Sequence, residues 1–417
     1  MAELFSSICK EISKLIHNQE FKNEYKTSER AFTRNRKIGF KENIAFTLNT
    51  LSRTLQIEID DFVERVMGKK DMEITKQAFS KSRKNISWHA FRRLFETTIE
   101  LVFKHNMISR VNGYRLFAID ASELVIDKTH DIGQYFVGRP NGPDNKCNAR
   151  ISMLVDAIDG FVVDASISSL EESERSHAKK HLGAFAPYCT EKDIVIFDRG
   201  YPSKEMIAVM SNMKCKYLMR LQSSSFKGVA GNPENDFYIS ISHKGTEYPV
   251  RVVRLALSTG EIETLITNLD NSGFEADDFR NLYAMRWSVE TEYNTIKNKL
   301  LLEKFSGRTV LSIHQDFFAA MFLANCIAAI SREVEKSLSG TKKDCKYRYK
   351  ANRNLIVGYL KFRLPYIILN SSSKITKRCR ELLKLCLRQP VPIRPGRAFD
   401  RPIFSHQRKV SCPKYAI

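Results

Sequence analysis

A mixed α/β fold is expected for the middle of this 417-residue chain, with an all-helical domain before it and a basic helical region after it. Three observations predict this. Residues 1–107 read as helices, with segments whose apolar residues fall at helical spacing. From about residue 113, apolar runs of strand length alternate with helical stretches. The last part of the chain holds most of the excess positive charge. With 43% hydrophobic residues there is material for a sizeable core, which excludes an intrinsically disordered protein.

In the N-terminal region, Glu42 to Leu55, Ile57 to Met67 and Ser87 to His105 repeat apolar residues every three or four positions, the pattern of amphipathic helices. Ser87 is placed to cap the helix starting at Trp88. The stretch Thr75 to Asn85 is short, basic and hydroxyl-rich. A helix-turn-helix and an ordinary helical bundle both fit it. Tyr114 to Ile119 then reads as a strand ending in Asp120. Ile151 to Ala157 and Phe161 to Ser168 are strands joined through Asp159-Gly160, a strong hairpin signal. A helix over Glu172 to Phe185 follows. The next strand is Ile194 to Phe197, ending at Asp198-Arg199-Gly200-Tyr201. A helix over Ser203 to Met213 and a strand over Lys216 to Leu221 come after it. This layer order matches a ribonuclease-H-like scaffold better than a doubly wound nucleotide fold, whose Gly-rich loop is missing.

Phe237–Ser242, Tyr248–Leu257 and Glu263–Asn268 read as further strands, set apart as a β insertion at about 222–270. A long helix from about Ala276 to Leu302 and a buried helix around Phe317–Ile330 complete the region. That apolar run, broken by Asn325, is too short for a bilayer span of about 20 residues. No signal peptide is visible at the N-terminus. The expected domains are therefore 1–107, 108–332 and 333–417. The loops Ser223–Ser225 and Ser371–Ser373, and an extended Pro- and Arg-rich stretch at 389–402, lie outside regular elements.

The net charge of +20 is unevenly spread. Residues 1–107 carry 20 basic and 14 acidic side chains, 108–332 carry 26 and 28, and 333–417 carry 21 and 5. A concentrated basic end suggests a polyanion. Aromatics interleave with cations in Lys346–Lys350 and Tyr359–Arg363, which favours nucleic acid over an acidic membrane surface. The nine cysteines never form a C-x-x-C pair and read as reduced thiols of an intracellular compartment.

Asp120 and Asp198 each follow an apolar strand, where a carboxylate is held rigidly yet stays open to a ligand. A single aspartate there is more often a turn or cap residue. A catalytic reading needs a third carboxylate, which the helix over 276–302 can supply. At about 100° per residue, Tyr283, Arg286, Glu290 and Lys297 share a wedge of about 60° beside an apolar stripe of Leu282, Met285, Val289, Ile296 and Leu300. The column is about 21 Å long. By itself it would be a solvated face with one Arg–Glu pair. The aspartates and the basic flanks shift the balance.

These residues resemble DDE transposases of bacterial insertion sequences, specifically the Insertion Sequence Four type with its Y-R-E-K signature. Tyr283, Arg286, Glu290 and Lys297 match that signature at every interval. Asp198-Arg199-Gly200-Tyr201 resembles the family's second-aspartate motif and Phe117-Ala118-Ile119-Asp120 its first. Phe305-Ser306-Gly307 and Gln315-Asp316-Phe317 are similar too. The resemblance implies a ribonuclease-H-like catalytic domain holding two Mg²⁺ ions (Mn²⁺ able to substitute) on Asp120, Asp198 and Glu290. It implies cutting and rejoining of double-stranded DNA at terminal inverted repeats. Tyr283, Arg286, Lys297, Arg199 and Tyr201 would contact DNA. A hairpin intermediate is associated with this type, with Trp287 one candidate for a base-flipping aromatic. A homodimer on paired ends, no membrane, and a cytoplasmic, nucleoid-associated location follow as expectations. Two alternatives are a domesticated, non-catalytic DNA-binding protein and a junction or repair nuclease. His177 and His181 have metal-ligand spacing, but a solvated or DNA-facing helix is the better reading of them.

Overall fold

The computed structural model describes residues 3–49, 53–138, 142–222, 226, 228–257, 260–270, 273–341, 346–370 and 372–394. Ser223–Ser225, Ser371 and residues 395–402 of the Pro-rich stretch fall outside the described residues. The chain divides into two compact units. One comprises residues 1–107, 125–147 and 294–417, the other 108–124 and 148–293.

The second unit is built on a mixed α/β sheet with flanking helices. Its strands are β1 (Arg115–Asp127), β2 (Lys146–Asp156), β3 (Val162–Ser169), β4 (Asp193–Phe197), β5 (Lys216–Leu221), β6 (Asp236–His243), β7 (Thr246–Ala256) and β8 (Ile262–Thr267). Across the sheet they run β3-β2-β1-β4-β5-β8-β7-β6. All five residues of β4 are buried, as an apolar run covered on both faces requires. Parallel pairing of β1, β4 and β5 needs crossovers, and the helix Lys204–Ser211 supplies the one between β4 and β5. Ser203 caps that helix and Ser173 caps Glu174–Phe185, each by accepting a backbone amide.

The β2–β3 hairpin turns where Asp-Gly predicts it. Gly160 has φ 82°, and the Asp156 carboxylate accepts the amides of Ile158 and Asp159. Two expectations change here. Asp120 lies inside β1 rather than at its end, because the alternating Ala121–Asp127 segment keeps Leu124 and Ile126 buried and prolongs the strand. The strands over 236–267 also do not stand apart. β8 pairs with β5, so they extend the central sheet antiparallel to its edge, and the alternating burial of β6 marks the new border.

The other unit is mainly helical. Helices Phe40–Thr47, Leu55–Arg65 and Trp88–Lys104 appear near their expected places, the first ending earlier than its pattern suggested. Ser87 Oγ accepts the His89 amide, 3.3 Å away. The helix Val310–Thr341 packs against Trp88–Lys104, and Asn325 within it is fully buried but satisfied by Thr98 Oγ1 at 2.8 Å. By length and apolarity that helix resembles a membrane span, yet 89% of its most apolar window is buried in the protein. N- and C-terminal helices share this unit: Ser6 Oγ lies 3.1 Å from Thr376 Oγ1, and Lys361 pairs with the buried Glu58 at 2.8 Å. The seven described cysteines are buried and free.

Candidate active site

The site begins with strand register. Parallel pairing runs from Arg115↔Asp193 to Ile119↔Phe197, so the next residues, Asp120 and Asp198, emerge from neighbouring strands about 4.8 Å apart. At the far end of the same two strands Arg115 grips Asp193 through Nε and Nη2, both at 2.6 Å. Arg115 is 6% exposed and Asp193 fully buried. This forked pair locks the register that aligns the two acids.

The third acid arrives on a helix that is not continuous. Ala276–Ala284 and Trp287–Asn294 are separate helices, followed by a π-turn over Thr295–Lys299. Between the helices the amides of Met285, Arg286, Ser288 and Val289 each bond the carbonyl three residues back. Such a tightened turn eclipses side chains three apart, whereas the expected straight column assumed an α-helix throughout. Tyr283 and Arg286 therefore stack, with the guanidinium carbon 5.8 Å from the ring centre, and both turn inward to Asp198. Tyr283 Oη donates to Asp198 Oδ1 at 3.0 Å. Arg286 lies 3.9 Å from Asp198 Oδ2 and 3.4 Å from Glu290 Oε1. Lys297 belongs to the other unit, where its Nζ is 3.9 Å from Glu303.

Charge is balanced around Arg286. Burial lowers the pKa of this guanidinium, but Asp198, Tyr283, Asp120 and Glu290 outweigh it and the net shift is upward. Asp120 is pushed up to about 6, first by burial, against its own amide bond from Ala121 and the pull of Arg286, with Asp198 and Glu174 adding repulsion. The Arg199 amide donates to Asp198 Oδ1 at 2.7 Å. These are hard oxygen donors of the kind divalent cations take. Yet among the described residues no three His, Cys, Asp or Glu side chains are close enough together to hold an ion. Arg286 stands against both Asp198, at 3.9 Å, and Glu290, at 3.4 Å, where a cation between these acids would sit.

Tyr201, expected at DNA, is 1% exposed with its ring against Phe197, so it is a core residue here rather than a surface contact. Arg199 is exposed. Trp287 is 47% exposed beside Arg286. The His177–His181 pair is neither solvated nor DNA-facing. Both rings are buried against β3, where His177 meets Ser166 Oγ at 2.6 Å and Ser168 Oγ at 2.8 Å. His181 meets Asp164 at 2.7 Å. Arg83, in the basic stretch near residue 80, is likewise internal, bonded to Gln315, Ser306 and Asp316. That network gives the Ser306 and Gln315-Asp316 motifs a structural task.

Two site residues were missed in the sequence. Tyr293 donates from its hydroxyl to the Asp120 carbonyl at 2.7 Å, and only its place beside the apolar stripe hints at this. Glu174, in the first turn of its helix, reaches the loop after Asp198; a Cβ added at Gly200 would lie 3.5 Å from Glu174 Oε2.

Residues 112–326 match the family model described as the transposase DDE domain. No curated protein matches the chain. Among solved structures the chain is similar to a piggyBac transposase synaptic complex with hairpin DNA, determined by cryo-EM. The identity is 14% over 94% of this chain and 87% of that one, with a TM-score of 0.47, too distant a likeness to transfer function.

Proposed function

This chain belongs to the family of transposase DDE domains, and from that premise we propose that it is a cut-and-paste DNA transposase of the Insertion Sequence Four type, acting at terminal inverted repeats. Its family carries out DNA transposition and generally uses divalent metal ions. In this reading Asp120, Asp198 and Glu290 hold two Mg²⁺ ions, for which Mn²⁺ can substitute. Bound there, the ions would supply Lewis acidity to in-line displacement at phosphorus. Water first breaks one P–O bond at the transposon end, and the freed 3′-OH then exchanges for another P–O bond in target DNA.

The chain's own residues do the positioning. Tyr283 and the Arg199 amide orient the Asp198 carboxylate, and Tyr293 holds the backbone at Asp120. Arg286, released from the acids, has a forked guanidinium suited to a DNA phosphate, and Lys297 a point charge. The observation that supports this most is the β1–β4 register, which sets two carboxylates side by side, with Glu290 linked to Asp198 through Arg286. The proposal extends to a ribonuclease-H-like catalytic domain over 108–332 and DNA-binding flanks at 1–107 and 333–417. It includes a homodimer on paired ends, a hairpin intermediate, and a cytoplasmic, nucleoid-associated setting.

Asp120→Ala, Asp198→Ala or Glu290→Ala should lower cleavage by at least ~10²-fold while leaving DNA binding intact. Glu290→Ala cutting at the wild-type rate would defeat the assignment. The occupation of the acids by Arg286 favours one rival, a non-catalytic DNA-binding protein. Binding without any nicking of supercoiled DNA in Mg²⁺ would support that rival.

A further inference from the structure

We propose that the loop Thr33–Lys37, with the clefts on either side of it, is a docking site for the phosphate backbone of duplex DNA. This rests on the reading of the chain as a DNA-handling enzyme, but it involves residues that no part of the DDE signature reaches.

Five consecutive residues here are exposed, and three of them are the cations Arg34, Arg36 and Lys37. Buried Ala31 and Ile38 anchor the two ends of the segment. Phe32 fixes its entry. This residue has φ 57°, a region bulky side chains rarely adopt, and its ring sits edge-on to Phe40 at 5.5 Å. A conformation that unusual in a bulky residue persists only when packing imposes it. The cations are thus presented from a preformed loop, which reduces the ordering cost of binding.

Clefts of about 420 and 540 Å³ flank the loop and share Phe32, Thr33, Arg34 and Arg36 as a common wall. Arg30 and Lys81 line the first, and Lys41 and Lys69 line the second. The one carboxylate in either lining is Glu42, and its Oε2 already accepts the Gly39 amide at 3.1 Å. Among the described residues, Arg30, Arg34, Arg36, Lys41, Lys69 and Lys81 form no ion pair. Arg83 and Arg115, by contrast, are neutralised internally. Unpaired cations lining two adjoining clefts repel one another, and a polyanion relieves that repulsion while releasing its own counterions. The exposed non-cationic residues of the loop are Thr33 and Asn35, so it offers nothing apolar to insert into a bilayer. Duplex DNA is the polyanion the surface fits.

The test uses the full chain, a labelled duplex of arbitrary sequence and EDTA, so that binding is read without cleavage. Arg34→Ala combined with Arg36→Ala should make the dependence of log affinity on log salt shallower by about 1.8, or about 0.9 per lost contact. Its melting temperature should stay that of the wild type, since both side chains are exposed; the milder Arg34→Gln alone should give about half the change. An unchanged slope in both variants overturns the proposal. So does a variant that loses binding to anionic lipid vesicles but keeps its DNA slope. A wild-type chain that never cuts DNA in Mg²⁺ but shows the predicted slope change would sink the catalytic reading and leave the loop standing. Normal cutting with no slope change would do the reverse.

Discussion

Replacing Asp193 with alanine probes the clamp that aligns the strands carrying Asp120 and Asp198. The carboxylate is fully buried, takes both forks of Arg115 at 2.6 Å, and accepts the Thr190 amide at 2.7 Å and hydroxyl at 3.1 Å. Its loss removes the carboxylate from a guanidinium that is 6% exposed, while the Tyr188 carbonyl still accepts from Nη2 at 2.9 Å. Breaking a buried pair from one side costs about 3–5 kcal/mol, most of it the stranded charge rather than the lost attraction. Against a typical total of about 5–15 kcal/mol, that is a large fraction. Urea unfolding should show a lower midpoint with little change of slope. The double variant Arg115→Met/Asp193→Leu removes both charges and should recover most of the loss. A single-variant cost below about 1 kcal/mol, or a double variant as unstable as the single, would refute the view that this pair holds the register by buried charge.

Two further outcomes can be checked by similar means. Burial first, then His181, Lys180 and Arg150 against the opposing Glu172, push His177 down to about 4 from its ordinary 6.5. The unfolded chain therefore binds this proton more tightly. The stability due to neutral His177 is complete above 6.5 and is lost as pH falls through 4, a change of about 3 kcal/mol. His177→Gln should flatten that part of the curve, and identical pH profiles for the two proteins would contradict the assignment. Tyr293→Phe deletes the 2.7 Å bond to the Asp120 carbonyl. A cost of about 1–2 kcal/mol and slower cleavage with unaltered DNA affinity are expected, whereas wild-type cleavage would show that Asp120 needs no such support.

Local signals read well where local physics decides. The Ser87 cap, the Asp159-Gly160 turn and the apolar run Ile194–Phe197 of β4 all stand where their residue types put them, because capping, positive φ and double-sided burial are demands met within a few residues. Reading failed where a partner distant in sequence intervenes. The histidine pair looked like a surface face because Ser166, Ser168 and Asp164, which satisfy it, come from another element. The basic stretch around Arg83 fits a helix-turn-helix and an ordinary bundle alike, because Asp316, which pairs with Arg83, lies more than two hundred residues away.

The candidate site divides along the same line. Residue types and spacing supplied three acids, an arginine and a tyrosine, and these carry the resemblance to the family. The acids' mutual placement came from the pairing of β1 with β4, which no spacing within either strand encodes. The inward turn of Tyr283 and Arg286 came from a break in the helix. A wheel at fixed periodicity cannot contain it, because the break brings both side chains to the half-buried Asp198 carboxylate. Chemistry was written in the order of the residues; its geometry, and the arginine now balancing its charge, required the sheet to form.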